Sequence, residues 1–375
     1  MANISNWSDE LLIKILSYLP TKVAVSTSVL SKRWKFLWKW SPKLEFDDYP
    51  NTIGDFNLSK SSYLCQYFIY KILPFYGAPI IESLRVRVRL RTLQSKDFES
   101  WVGLAISRCA RELSISYLPF YKEHEVLFPS SLFTCKSLVT LKLEGFKILV
   151  DAPRTVCLPS LKTLDLRHVR FLNQDCLRLL LQSCPVLEDL FIHRVGCDTL
   201  LGLVVHDPSL KRLSVHIDST CSIGASIIVT PSLKYFNFED SKVEDFYCKG
   251  FSYSIDHMPE LEEANIVVLR NPQDLLESVT SSKRLSLRVA FNSTEKTVYR
   301  EGIVFSQLEK LELFICNDDW SKLLVQLLKD SPNLQILSLI VDDVSFFVDL
   351  FYDGGGGDWI GMRVIDGKNE GLRLR

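Results

Sequence analysis

The sequence predicts an α/β repeat protein: a small helical unit at the amino end, followed by a long run of strand-bearing repeats. Three observations predict it. The pattern apolar-x-x-apolar-x-apolar returns at a nearly constant interval along most of the chain. Proline often stands two positions before the opening leucine of that pattern. Residues 4–40, by contrast, carry apolar side chains at helical spacing.

The returns are Ile81-Leu84-Val86, Ala110-Leu113-Ile115, Leu138-Leu141-Leu143, Leu161-Leu164-Leu166, Leu187-Leu190-Ile192, Leu210-Leu213-Val215 and Leu233-Phe236-Phe238. Leu261-Ala264-Ile266, a degraded Leu285-Leu287, Leu308-Leu311-Leu313 and Leu334-Leu337-Leu339 complete the series. The mean interval is about 25 residues, inside the ~20–29 of leucine-rich repeats. Pro159, Pro185, Pro208, Pro231, Pro259 and Pro332 precede the opening leucine by two. Proline cannot continue a helix, and it biases its predecessor to extended geometry. Each repeat therefore ends its outer segment at Pro-x-Leu and enters a strand.

Two outer segments read as helices. One carries Leu177, Leu180, Leu181 and Cys184 on one face behind Asn173 or Asp175 as cap. The other carries Leu323, Leu324, Leu327 and Leu328 behind Asp318 or Asp319. The expected fold over residues 43–345 is a leucine-rich repeat solenoid of about 11 irregular repeats, each burying its leucines only against its neighbours. Strands are expected on the concave face, and mixed helices and loops on the convex face. Residues 346–375 read as a hinge at Gly354–Gly357 and a flexible tail.

Composition narrows the function classes. The 375 residues are 47% hydrophobic, which excludes global disorder. The formal net charge is -1, whereas a phosphate-neutralising protein is usually far more basic. The start, MANISNWSDELL, has no basic region leading into an apolar stretch, and no apolar run reaches the ~18–20 residues that span a bilayer. No nucleic-acid or membrane partner is expected, and the location is expected to be cytoplasmic and/or nuclear. The ten cysteines are scattered without a Cys-x-x-Cys pair and read as small buried thiols.

The stretch Leu30–Trp40, LSKRWKFLWKW, interleaves cations and aromatics. Placed on a helix, Lys32, Lys35 and Lys39 share one sector, opposite Leu30, Trp34, Leu37 and Trp38; Phe36 and Trp40 widen the apolar arc. Segregation of this kind suits a solvated lysine face. The wide apolar arc calls for two burial partners, the chain's own elements and something else. Upstream, Leu11, Leu12, Ile15, Leu16 and Leu19 form an amphipathic helix, capped by Asn6 or Ser8 and stopped by Pro20. So few residues make a very small core, which usually needs a partner.

Residues 4–40 resemble an F-box, through Asp9-Glu10-Leu11-Leu12, Ile15-Leu16, Leu19-Pro20-Thr21-Lys22 and Ser28-Val29-Leu30-Ser31-Lys32-Arg33-Trp34. The remainder is similar to the leucine-rich repeats of plant F-box proteins, in wordings such as Lys43–Phe46 and Cys184–Leu190. The resemblance covers roughly residues 4–345 and sets the boundary of the F-box at 1–42. It implies a substrate-recognition subunit of an SCF-type (Skp-cullin-F-box) ubiquitin ligase, not an enzyme and without cofactor or metal. The F-box would bind a Skp-type adaptor, and through it a cullin, by Ser8, Leu11, Leu12, Ile15, Leu19, Pro20, Val29 and Trp34. Residues 1–40 carry six basic and two acidic side chains, which suits an acidic adaptor.

Three departures from the family pattern stand out. Trp7-Ser8 occupies the place of the usual Leu-Pro, and Val23 the place of a common acidic residue. The family's further C-terminal FBD domain has no clear counterpart. A weakened F-box on a repeat scaffold outside any ubiquitin ligase is therefore the alternative.

Catalytic and metal signatures are lacking. The six histidines join no HExxH or comparable motif, and Cys184, His193 and Cys197 have no common zinc spacing. The glycine run has no capped helix after it with which to cradle phosphate. Arg85, Arg87, Arg89 and Arg91 alternate with apolar residues, as in a half-exposed strand or an anionic-ligand patch. Target recognition is expected on the outward strand positions: Arg85, Arg87, Lys142, Glu144, Asp165, Arg167, Phe191, His193, Ser214, His216, Asn237 and Glu239. Their mixed charge suits a protein or peptide better than a phosphate groove.

Overall fold

The structure is a computed structural model. It describes residues 7–47, 69, 71, 73–88, 93–118, 125–146, 148–152, 156–196, 200, 202–221, 225–241, 253–268, 272–289, 299–300, 302–315 and 320–340, together with the backbone of 341, 346–352, 359–366 and 369–370. It divides into two compact units, Met1–Leu187 and Glu188–Arg375.

The first unit begins with helices α1 (Asp9–Leu16) and α2 (Thr21–Ser26). The Ser8 hydroxyl accepts from the Leu11 N–H at 3.4 Å and caps α1, with Asp9 and Glu10 in its first turn, where acids suit the helix dipole. The opening stretch is not the α-helix that its pattern predicts: Trp34–Trp40 is a 3-10 helix. Trp34, Leu37 and Trp38 still turn inward and join Leu12, Leu16 and Ala24 in one small core.

This helical piece is joined to the first strand by side-chain and main-chain bonds. β1 spans Lys43–Asp47. The Thr21 hydroxyl accepts from the Glu45 N–H at 2.7 Å, and the buried Tyr76 hydroxyl donates to the Ser41 carbonyl at 2.7 Å. The Lys39 carbonyl accepts from the N–H groups of both Gly77 and Ala78. Burial pushes the Tyr76 phenol well above its ordinary range.

Strands β1, β2 (Ser83–Val88), β3 (Glu112–Tyr117), β5 (Thr140–Glu144) and β7 (Thr163–Arg167) pair in parallel in that order. A second small sheet joins β4 (Val126–Leu127), β6 (Ile148–Val150) and β8 (Arg170–Phe171). Helix α3 (Ser95–Ser107) buries Phe98, Trp101 and Val102, and α4 (Asp175–Gln182) buries Leu177, Leu180 and Leu181. The Asn173 side chain caps α4, accepting from the Asp175 and Cys176 N–H groups at 3.0 and 3.1 Å.

In the second unit β9 (Asp189–Arg194), β11 (Arg212–Ile217), β13 (Tyr235–Asp240), β15 (Glu263–Val268), β16 (Arg284–Val289), β17 (Lys310–Ile315) and β18 (Ile336–Val341) run parallel in that order. β10 (Leu203–His206), β12 (Ser226–Val229) and β14 (Tyr253–Ile255) form a second sheet. Helix α5 (Gln273–Ser278) buries Leu275 and Leu276. Helix α6 (Trp320–Asp330) buries Leu323 and Leu327; its expected caps, Asp318 and Asp319, lie outside the described residues.

Every residue of the apolar triplets is buried except Leu339, which is half-buried. In the degraded repeat, fully buried Ser282 takes the place of the opening leucine. Pro-x-Leu proves to be a tight turn. The carbonyl preceding proline accepts from the leucine N–H at Leu158/Leu161, Cys184/Leu187, Thr230/Leu233, Met258/Leu261 and Ser331/Leu334. Proline sits second in each, where its fixed φ fits.

The expectation of a tail without regular structure beyond residue 345 does not match the backbone. β19 (Phe346–Tyr352) pairs antiparallel with β18, β20 (Trp359–Asp366) with β19, and β21 (Asn369–Glu370) with β20. Antiparallel pairing satisfies backbone groups without a leucine repeat, so the repeat pattern carries no sign of it. The glycine hinge lies outside the described residues.

Candidate functional site

The helical piece presents two classes of apolar side chain. Of the sequence-predicted adaptor contacts, Leu12 and Trp34 are placed in its own core, 0% and 4% exposed. Both face inward because three short helical segments have little else to pack on. Ile15 and Leu19 are half-buried, Leu19 packing against that core. Ser8 and Pro20 are exposed, and Leu11 and Val29 are exposed at 53% and 87%. The prediction missed several neighbours: Trp7, Tyr18, Val23, Leu30, Phe36 and Trp40 are exposed large apolar residues. The excess width of the apolar arc in LSKRWKFLWKW signals Leu30, Phe36 and Trp40; Trp7, Tyr18 and Val23 lie outside that stretch. Lys39 lies 4.7 Å from the Phe36 ring centre and 5.2 Å from that of Phe75, so a cation bridges two exposed aromatics.

In the first unit all six outward candidates line a single groove of about 210 Å³, with Ser114 and Ser116. Strand register explains this. Arg85, Ser114, Lys142 and Asp165 occupy one cross-strand row; Arg87, Ser116, Glu144 and Arg167 occupy the next. The two serines on β3 are short, so the long side chains on β2 and β5 stand as walls. Arg85 lies 3.4 Å from Glu45, and Arg87 3.3 Å from Asp47. Arg167 donates to both oxygens of the buried Asp165, at 2.8 and 3.1 Å, which pushes the guanidinium pKa up. The Ser116 hydroxyl donates to Glu144 at 2.7 Å.

In the second unit, one row runs Phe191, Ser214, Asn237, Asn265, Ser286. The Asn237 amide donates to Ser214 at 2.8 Å, and the Asn265 amide to Asn237 at 2.7 Å. Asn265, between Ala264 and Ile266, was not among the sequence candidates, which end at Glu239. The next row holds His193, His216 and Glu239, with the imidazole centres 4.0 Å apart and His216 Nδ1 2.8 Å from Glu239. Hydrogen bonds from the Thr220 hydroxyl and N–H hold the nearby Asp218 carboxyl below its usual range, helped by the charges of His216 and His193.

Among the described residues no group of three or more His, Cys, Asp or Glu is arranged to hold a metal ion, and no helix is long and apolar enough to cross a membrane. Cys197 lies outside the described residues.

Residues 4–46 match the family model for the F-box domain. Residues 98–272 match the model described as FBD-associated F-box protein At5g56370, LRR repeats. A relative from Arabidopsis thaliana carrying the name FBD-associated F-box protein At5g56700 is 58% identical over 374 residues, covering 99% of this chain and 87% of the relative. The chain belongs to the plant F-box/leucine-rich repeat family. FBD-associated F-box protein At5g60610 of the same plant is 51% identical, over 91% of this chain and 84% of its own. A third F-box relative there, FBD-associated F-box protein At4g10400, is 45% identical over 91% and 78%. The F-box model ends at Phe46, inside β1, where the Thr21–Glu45 bond ties F-box to repeat.

Proposed function

We propose that this F-box/leucine-rich repeat protein is the substrate-recognition subunit of an SCF-type E3 ubiquitin ligase. The observation that carries the reading is the division of apolar residues in the F-box. Its core is complete without Leu11, Val29 and Leu30, yet these stand more than half exposed. Large apolar side chains left exposed beside a finished core mark a docking site. A Skp-type adaptor, acidic and joined to a cullin, covers it. Leu11 and Val29 supply contact area, Ile15, Leu19 and Pro20 the rim, and Ser8 the helix start. Leu12 and Trp34 act through the fold beneath them.

The repeats stack as a solenoid whose concave strand face holds a target protein. The work there is binding; ubiquitin transfer belongs to other subunits. Such a protein acts in the cytoplasm and/or nucleus. The alternative, a scaffold with a weakened F-box, draws on Trp7, Ser8 and Val23. The Ser8 cap counts against it, since α1 starts in place without the usual proline.

Titration calorimetry with a purified Skp-type adaptor tests the reading. Leu11→Asp and Val29→Glu are expected to weaken binding by about a hundredfold, as charge enters an apolar contact. No heat with the unaltered protein would favour the scaffold.

A further inference from the structure

We infer that the groove on the strand face of the first unit binds an extended acidic segment of the target protein. The inference rests on the reading of that face as the target surface. Its lining carries four cations, Arg85, Arg87, Lys142 and Arg167, and two carboxylates, Glu144 and Asp165, while Glu45 and Asp47 on β1 pair with Arg85 and Arg87 at 3.4 and 3.3 Å. Both lining carboxylates are engaged internally: Asp165 by Arg167 and Glu144 by the Ser116 hydroxyl. Among the described residues, the Lys142 ammonium and the Ser114 hydroxyl have no hydrogen-bond or ion-pair partner. They face each other across β3 and β5, with Arg85 on the far side of Ser114.

The arrangement has the geometry of peptide recognition. Arg85 and Arg87 are two residues apart on one strand, roughly 6.6 Å, the repeat of same-side positions in an extended chain. A peptide laid along β2 brings alternate carboxylates to these two guanidiniums in place of Glu45 and Asp47, whose solvent-exposed ion pairs are weak. Lys142 closes the other wall. Ser114 supplies a donor on the floor and, being small, leaves the depth that a carboxylate needs. The groove's partners are half-exposed, so steering and register are its main contribution.

Fluorescence anisotropy on the full chain provides the test, with labelled hexaglutamate and hexaglutamine peptides as probes. Hexaglutamate is expected to bind at least about tenfold tighter than hexaglutamine. Lys142→Glu, Arg85→Glu and the groove-filling Ser114→Leu are each expected to remove most of that preference, and Lys142→Gln part of it. Lys211→Glu, the same charge change in the second unit, is expected to leave it within about twofold. Equal loss with Lys211→Glu, or no preference at all, would overturn the proposal. So would inorganic phosphate displacing the peptide at a lower concentration than free glutamate peptide does, since the site would then be one for small oxyanions. Adaptor binding, measured on the Lys142→Glu protein, is expected to be unchanged; its loss in the unaltered protein would bear on the ligase reading alone.

Discussion

Arg33 reaches back over 24 residues to Asp9, its Nε 2.7 Å from Oδ1. The same guanidinium donates to the Trp7 carbonyl at 2.5 Å. One side chain therefore fastens the start of α1, the place where Trp7-Ser8 replaces the family's Leu-Pro, to the segment that carries Trp34. It supplies from a distance some of the fixity that proline would supply locally.

Arg33→Ala is expected to lower the stability of the F-box by about 0.5–1 kcal/mol, because both partners are solvent-exposed. Arg33→Lys should recover only part, having no planar fork. Urea unfolding at low and high salt checks this: the difference from the unaltered protein should shrink with salt. A salt-independent loss would mean that the Trp7 carbonyl bond matters more than the ion pair.

Trp34→Ala and Leu11→Asp are expected to fail differently. Trp34 is a core residue, and its truncation should cost about 3–5 kcal/mol, enough to unfold so small a unit. Leu11 is exposed, so its replacement should leave helicity and melting nearly unchanged while adaptor binding falls. Circular dichroism beside calorimetry separates the two. Intact helicity in Trp34→Ala would contradict the core placement.

Alkaline pH is expected to destabilise both units. Burial pushes the phenols of Tyr76 and Tyr299 up, and each donates a hydrogen bond, to the Ser41 carbonyl and to Asp330. Unfolded tyrosine loses its proton near about pH 10. Above that pH the unfolded chain holds fewer protons than the folded one, so stability falls as pH rises. Tyr76→Phe should cost about 1 kcal/mol at neutral pH, yet flatten the alkaline fall. Denaturant midpoints measured from about pH 8 to about pH 11 report both effects.

Gly145→Ala is expected to be destabilising by about 2–4 kcal/mol. Gly145 follows β5 with φ +154°, and a Cβ there would stand 2.2 Å from the Tyr117 carbonyl oxygen. Its N–H donates to the Arg167 carbonyl, so the strain falls beside the groove. A melting curve on the variant checks the cost; an unchanged transition would show that β3 and β5 shift apart easily.

The repeat period, the end of each outer segment at Pro-x-Leu and the faces of α4 and α6 were readable in advance because each depends on short-range spacing. A leucine at every third or second position must be shielded whichever neighbour shields it, and Leu161, Leu187 and Leu233 all are. Alternation with those core positions also puts eleven of the twelve outward candidates at exposed or half-buried places, while Asp165 is buried beneath Arg167.

Other features depended on which segments meet. Leu12 and Trp34 have the same local signature as Leu11 and Leu30, yet the first pair is enclosed and the second exposed. That choice comes from how α1, α2 and the 3-10 turn Trp34–Trp40 pack, which no spacing encodes. Likewise, alternation placed Arg85, Lys142 and Asp165 outward one by one. Parallel register, with small Ser114 and Ser116 between the longer side chains, made them walls of one groove. Local periodicity states what each residue must avoid, which is water or a core; long-range pairing decides what it touches.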